Sequence, residues 1–119
     1  MAITINNELG EVAISQQVVS KIAGAVATKC YGVVGMASRN KKDGLVSLLN
    51  IDNITKGVKI FCDEEEGLSI ELHIIVEYGV NINVICGSII HNVSYRVEQS
   101  TGLTVDKVNV LVESVRTDK

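Results

Sequence analysis

Leu68-Ser69-Ile70-Glu71-Leu72-His73-Ile74-Ile75-Val76-Glu77-Tyr78 is the stretch on which the fold turns. In an extended chain successive side chains point to opposite sides, so Leu68, Ile70, Leu72, Ile74, Val76 and Tyr78 share one face. Ser69, Glu71, His73, Ile75 and Glu77 share the other. Just upstream, Lys56 to Cys62 reads as a second extended run. The acidic connection Asp63-Glu64-Glu65-Glu66-Gly67 has the length that joins two antiparallel strands in a hairpin.

On either side of this hairpin the hydrophobic period changes. Gly10-Glu11-Val12-Ala13-Ile14 reads as a strand ending at Ser15, whose hydroxyl suits a helix N-cap. From Gln16 to about Lys29, Val19, Ile22, Ala23, Val26, Ala27 and Cys30 recur at three- and four-residue steps, the mark of an amphipathic helix. Gly32 ends it, and Val33 to Ala37 reads as a short extended segment. After Gly79 a second helix is predicted from about Ile82 to Ser100, with Ile82, Cys86, Ile89, Val93 and Val97 on its apolar stripe. Gly102 closes that helix, and Val105 to about Glu113 is a last strand. A polar tail is expected over 115–119. The stretch Ser38-Arg39-Asn40-Lys41-Lys42-Asp43-Gly44, followed by Leu45 to Leu49, reads as a mobile excursion over 38–50 with one or two helical turns. Two amphipathic helices cover one face of a sheet of about four strands, so the expected class is α+β, a two-layer sandwich with both main helices on one face.

The 119 residues, 46% of them hydrophobic, suit one domain spanning 1–119 with a single core. With no basic and apolar leader and no run near the roughly 18 apolar residues of a membrane span, the chain is expected to be cytoplasmic. Eleven Lys and Arg against fourteen Asp and Glu give a formal charge of -3, which argues against a dedicated nucleic-acid binder. Only 3% of the residues are aromatic and none is Trp, so the core falls to Val, Ile, Leu and Ala, and stacking platforms for single-stranded nucleic acid are missing. The three cysteines, Cys30, Cys62 and Cys86, form no CxxC pair and have no His at metal-ligand spacing. Cys62 and Cys86 are read as small core residues of a reducing compartment. No cofactor or metal is expected.

If both helices lie on one side, the other sheet face carries Lys59, Phe61, Glu71, His73, Ile75, Glu77, Lys107 and Leu111. Phe61, Ile75 and Leu111 are then large apolar groups on a charged face, candidate interaction residues for a protein partner. Arg39, Lys41 and Lys42, opposite in sign to the acidic hairpin turn, are a second candidate set that could steer copies into a homo-oligomer. Catalytic candidates are thin. His73 and His91 are read as solvated, and a His73–Glu71 dyad is not expected, because residues two apart on a strand run parallel to each other. Gly32-Val33-Val34-Gly35 matches the GxxG pattern of RNA-binding KH domains, but its valines offer phosphates nothing and it lies between a helix and an extended segment. It leaves a KH-like RNA-binding module as an alternative, with Arg39, Lys41 and Lys42 supplying most of the charge.

Tyr78-Gly79-Val80-Asn81-Ile82, a helix ending Glu98-Gln99-Ser100-Thr101-Gly102, and Val105-Asp106-Lys107-Val108-Asn109-Val110 resemble the alkaline shock protein family, general or envelope stress proteins of Gram-positive bacteria. Gly10 to Ser15, Val18 to Ala23, Tyr31 to Met36 and Lys56 to Ile60 are similar to its N-terminal half, so the resemblance runs from about residue 8 to 114. Asn83 departs from it where many members have proline, and Cys86 and His91 depart as well. The resemblance implies a non-enzymatic interaction or scaffold protein linked to envelope or alkaline stress. It also implies protein partners: in some members a separate membrane-anchoring protein, or, for plain single-domain members, a dihydroxyacetone-kinase-like protein that the chain would assist or regulate.

Overall fold

The alternating stretch forms β6 (Gly67–Glu77), the strand on which the rest of the main sheet is assembled. In the computed structural model, which describes residues 2–7, 10–39, 44–63 and 67–117, the chain order is β1 (Ala2–Asn7), β2 (Gly10–Ser15), α1 (Gln16–Thr28), β3 (Val33–Arg39), β4 (Val46–Leu48), a 3-10 segment (Ile51–Gly57), β5 (Val58–Asp63), β6, α2 (Ile82–Thr101) and β7 (Val105–Arg116). β5 pairs antiparallel with the first half of β6, from Val58↔Leu72 to Asp63↔Gly67, which is the expected hairpin. β3 pairs antiparallel with its second half, and β7 runs parallel to it along almost its whole length. β4 extends the sheet beyond β3, giving five strands. β1 and β2 form a separate two-stranded sheet with Ile3 opposite Ile14 and Ile5 opposite Val12.

Both helices cover the same face. Ser15 caps α1 as its sequence suggests, its hydroxyl accepting the Gln17 N–H at 3.1 Å, and Asn81 caps α2 by accepting the Val84 N–H at 3.2 Å. At the far end of α2, Gly102 takes the left-handed conformation and closes the last turn on the Glu98 carbonyl. Beneath the helices, Leu68, Ile70, Leu72, Ile74 and Val76 of β6 meet Val19, Ala23 and Ala27 of α1 and Ile85, Ile89, Val93 and Val97 of α2 in one core. That core is aliphatic apart from Met36, and no aromatic side chain enters it.

Several expectations need correction. The buried stripe of α2 is Ile85, Ile89, Val93 and Val97, whereas Ile82 is exposed and Cys86 only half-buried. Val46–Leu48 is a strand, not a helical turn, and Asn40 to Asp43 lie outside the described residues. β7 continues to Arg116, into what reads as tail, because it finds ten partners along β6 down to Glu77↔Arg116. Cys62 lies on the core-facing parity of β5, opposite Leu68, but at the strand's end it is exposed. Tyr78 has the parity of the core face, yet it has left the strand for the turn before α2 and is 73% exposed.

Candidate interaction surface

The sheet face turned away from the helices is the surface on which charged side chains converge. Register sets its rows: Phe61 and Lys107 flank Ser69, Lys59 and Asn109 flank Glu71, Leu111 lies beside His73, and Gly35 and Ser114 flank Ile75. Its centre is built around His73. The ring's Nδ1 lies 2.6 Å from Glu113 Oε2 and its Nε2 lies 2.7 Å from Glu71 Oε2. These side chains are only 15% (His73), 25% (Glu71) and 10% (Glu113) exposed.

The register of the sheet sets where this cluster forms. Between Ile74↔Val112 and Ile75↔Ser114 the register of β7 slips by one residue, and the extra residue is Glu113. Alternation from Leu111 and Val112 already puts Glu113 on the His73 face, and the bulge leaves it unpaired in the ladder, between the rows of Ile74 and Ile75. Here the carboxylate comes to the imidazole from the neighbouring strand while Glu71 approaches from the same strand. The expectation that His73 is solvated and unpaired with Glu71 is thereby corrected. Two residues apart on a strand do run parallel, but a Glu side chain is long enough to bend onto its neighbour's ring. Alternation in the sequence puts Glu113 on the same face as Lys107, Asn109 and Leu111, but that it reaches His73 depends on the register with a strand distant in sequence.

Which ring nitrogen donates in these two contacts follows from the ring's tautomer, and a bond made to an ionised carboxylate is charge-assisted. Both ring nitrogens are engaged by carboxyl groups. Among the described residues no group of His, Cys, Asp and Glu is arranged to hold a metal ion.

Of the apolar residues singled out on this face, Phe61 is 57% exposed and Leu111 38%, but Ile75 is only 3% exposed. The expectation of an exposed Ile75 is therefore wrong, and its neighbours show why. Gly35 opposite Ile75 leaves a gap on this face, and Leu48 Cδ1 lies 2.8 Å from where a Gly35 Cβ would stand. The excursion after β3 thus returns as β4 and drops Leu48 over that end of the sheet, leaving the half with Phe61 and Leu111 open. Arg39 ends β3, and Lys41 and Lys42 lie outside the described residues.

The remaining candidates are tied into the fold. The Gly32 carbonyl accepts the Glu77 N–H at 2.9 Å and Val33 opens β3, so the GxxG stretch is a helix-to-strand junction. His91 is exposed on α2. Between the helices, Val26, Lys29, Cys30, Asn92, Tyr95 and Arg96 line a shallow groove, where the Asn92 amide donates to Cys30 Sγ at 3.8 Å. Burial pushes the Cys86 thiol above its ordinary pKa. The one Phe and three Tyr of the sequence are all at the surface, with Tyr31 87%, Tyr78 73%, Tyr95 60% and Phe61 57% exposed.

No solved structure matches the chain. It is similar to the uncharacterized protein YloU of Bacillus subtilis (strain 168), 41% identical over 98% of this chain and 97% of that one. An uncharacterized protein of Streptococcus pyogenes serotype M6 is 36% identical over 98% of this chain and 96% of its own length. The uncharacterized protein YqhY of the same Bacillus strain is 28% identical over 95% of this chain and 82% of its own. Residues 4–117 match the alkaline shock protein (ASP23) family, described as having a cell envelope-related function. The sequence resemblance and this match agree across nearly the whole chain, which belongs to that cell envelope-related family.

Proposed function

We propose that the chain is a non-enzymatic interaction protein of the cell envelope, and that it receives a protein partner on the open half of its sheet, around Phe61, Leu111 and the Glu71–His73–Glu113 cluster. The observation that carries this reading is the placement of aromatic side chains. A chain with so few aromatics would gain most by burying them, since each removes a large apolar area from water. Here the core is aliphatic and every aromatic ring is at the surface, where such rings commonly anchor protein contacts. Phe61 is the one of them on the uncovered sheet face, in the same row as Lys107 and two strands from Leu111.

The state of His73 supports the non-enzymatic part. A general base needs a free nitrogen lone pair within reach of its substrate, and both nitrogens of this ring are held by carboxylates. The cluster instead gives the face a fixed arrangement of polar groups that a partner can match. The test is affinity capture from the native cell with the wild-type chain and with Phe61→Ser and Leu111→Ser. A partner retained by the wild type and lost from both variants supports the reading. Identical capture by all three removes it, and turnover that vanishes in His73→Ala would replace it with an enzymatic one.

A further inference from the structure

A different surface, the flank formed by β7 and α2, carries an inference about self-association. β7 is a twelve-residue strand that, among the described residues, pairs only with β6. Its other edge is open, and an open edge presents a row of backbone donors and acceptors to any extended chain. Above it, α2 has three distinguishable sides. Ile85, Ile89, Val93 and Val97 point into the core, while Asn92, Tyr95 and Arg96 face α1 across the groove. The remaining side, away from α1 and towards the open edge, carries Cys86, Ile90 and Ser94 at four-residue spacing. Ile90 is 39% exposed, and Cys86 and Ser94, one turn before and one turn after it, are half-buried. A large aliphatic side chain thus stands between two small ones, on a side that adds nothing to the monomer's own core.

We infer that a second copy of this chain docks on this flank through a two-fold axis, β7 antiparallel to β7 and α2 against α2. Three features point to a copy of the chain itself. First, β7 is self-complementary about Val110. Turned on itself there, Val108 faces Val112 of the second copy, Asn109 faces Leu111, and Lys107 comes beside Glu113, whose carboxyl group also holds the His73 ring, so opposite charges lie on the two strands at both ends of the pairing. Second, the two register faults of β7, at Asp106 and Glu113, lie on either side of the regular stretch Lys107 to Val112. In this pairing the extra residue of one strand falls next to the extra residue of the other, so the two strands stay matched in length. Third, the same axis serves the helices. Ile90 lies ~16 Å back along α2 from its last residue, at about 1.5 Å per residue, and Val110 lies ~16 Å along β7 from its first, at about 3.3 Å per residue. Both therefore stand at about the same distance along their elements from the turn at Gly102, so an axis at the level of Val110 is also at the level of Ile90. Ile90 then meets its own counterpart, and Cys86 comes against Ser94 of the second copy, two small side chains that leave the paired isoleucines room to pack. Gly87, exposed and with open space where a Cβ would go, lets the two helices approach.

Sedimentation equilibrium of the full chain over a wide concentration range tests this, comparing wild type with Ile90→Glu, Lys107→Glu and Phe61→Ser. The expected result is a dimer for wild type and for Phe61→Ser. Ile90→Glu and Lys107→Glu should each weaken it by roughly tenfold or more, as charges set against apolar or like-charged neighbours do, with unchanged circular dichroism. Lys107 is exposed, so its variant reports even if Ile90→Glu perturbs the fold. A wild-type monomer at every concentration, a larger assembly, or a dimer unaffected by Lys107→Glu overturns the inference. Because Phe61 lies off this flank, loss of partner capture and loss of the dimer are separable outcomes.

Discussion

His73 shows how much a single side chain can hold in this sheet. Its ring ties β6 to the parallel edge strand β7 through Glu113 and is braced on its own strand by Glu71. His73→Ala would leave two largely buried carboxyl groups without the ring that both of them contact. Hydrogen bonds to charged groups are worth about 1.5–3 kcal/mol, so a loss of ~2 kcal/mol is expected in urea unfolding, and His73→Gln should recover part of it. The three thiols should differ in a simpler way. Cys62 is exposed, whereas burial disfavours the Cys86 thiolate, so Cys86 should be alkylated more slowly than Cys62 at mildly alkaline pH. The linkage has a definite sign. A thiol whose folded pKa is raised binds its proton more tightly in the native state, so stability falls as pH rises past the thiol's unfolded value. Cys86→Ala should remove that part of the alkaline loss, measurable as a shallower decline of the urea midpoint above that pH. At Gly32 the constraint is steric, because the backbone is left-handed (φ 87°) and a Cβ would collide with Ile85 Cδ1. Gly32→Ala is expected to cost about 2 kcal/mol or more.

At the scale of elements, α2 offers the sharpest contrast between adjacent positions. Ile89 is fully buried and Ile90 is 39% exposed. Ile89→Ala should cost about 2–5 kcal/mol, whereas Ile90→Ala should cost well under half as much in a chain kept monomeric by dilution, with the same urea m-value in both. Asn81→Ala removes the cap bond to Val84 N–H and should cost ~1 kcal/mol. The helix itself was legible from its three- and four-residue spacing, but its phase was not. Cys86 and Ile85 are both apolar, and choosing between them depends on where the sheet lies, which local sequence does not state. β6 was legible almost to the residue because alternation over so long a run has one meaning. β4 was not: Val46-Ser47-Leu48 is too short for a period to emerge, and it is a strand only because β3 offers it an edge. The α1 cap at Ser15 was readable because capping is a local bond.

Over the whole molecule, the layer count followed from arithmetic that needs no coordinates: two amphipathic helices cannot cover both faces of a sheet. The consequence, one uncovered face, holds for the half with Phe61 and Leu111 and fails at Ile75, where Leu48 returns over Gly35. That closure depends on a gap left by a glycine in one strand and a leucine in another, a pairing visible only once the strands are in register. The Glu113 arm of the His73 cluster was hidden for the same reason. Since Phe61 lies outside the core, Phe61→Ser should change the unfolding midpoint little, by about 0.5 kcal/mol or less, while lowering partner capture. This separation of folding from recognition has a spectroscopic side. With no indole anywhere and every phenol at the periphery, intrinsic emission should be readily quenched by iodide in the free protein and should respond only weakly when the interior melts. What would shield those rings is an encounter with another molecule, so the protein's own ultraviolet signal is better suited to titrating contacts than to following denaturation.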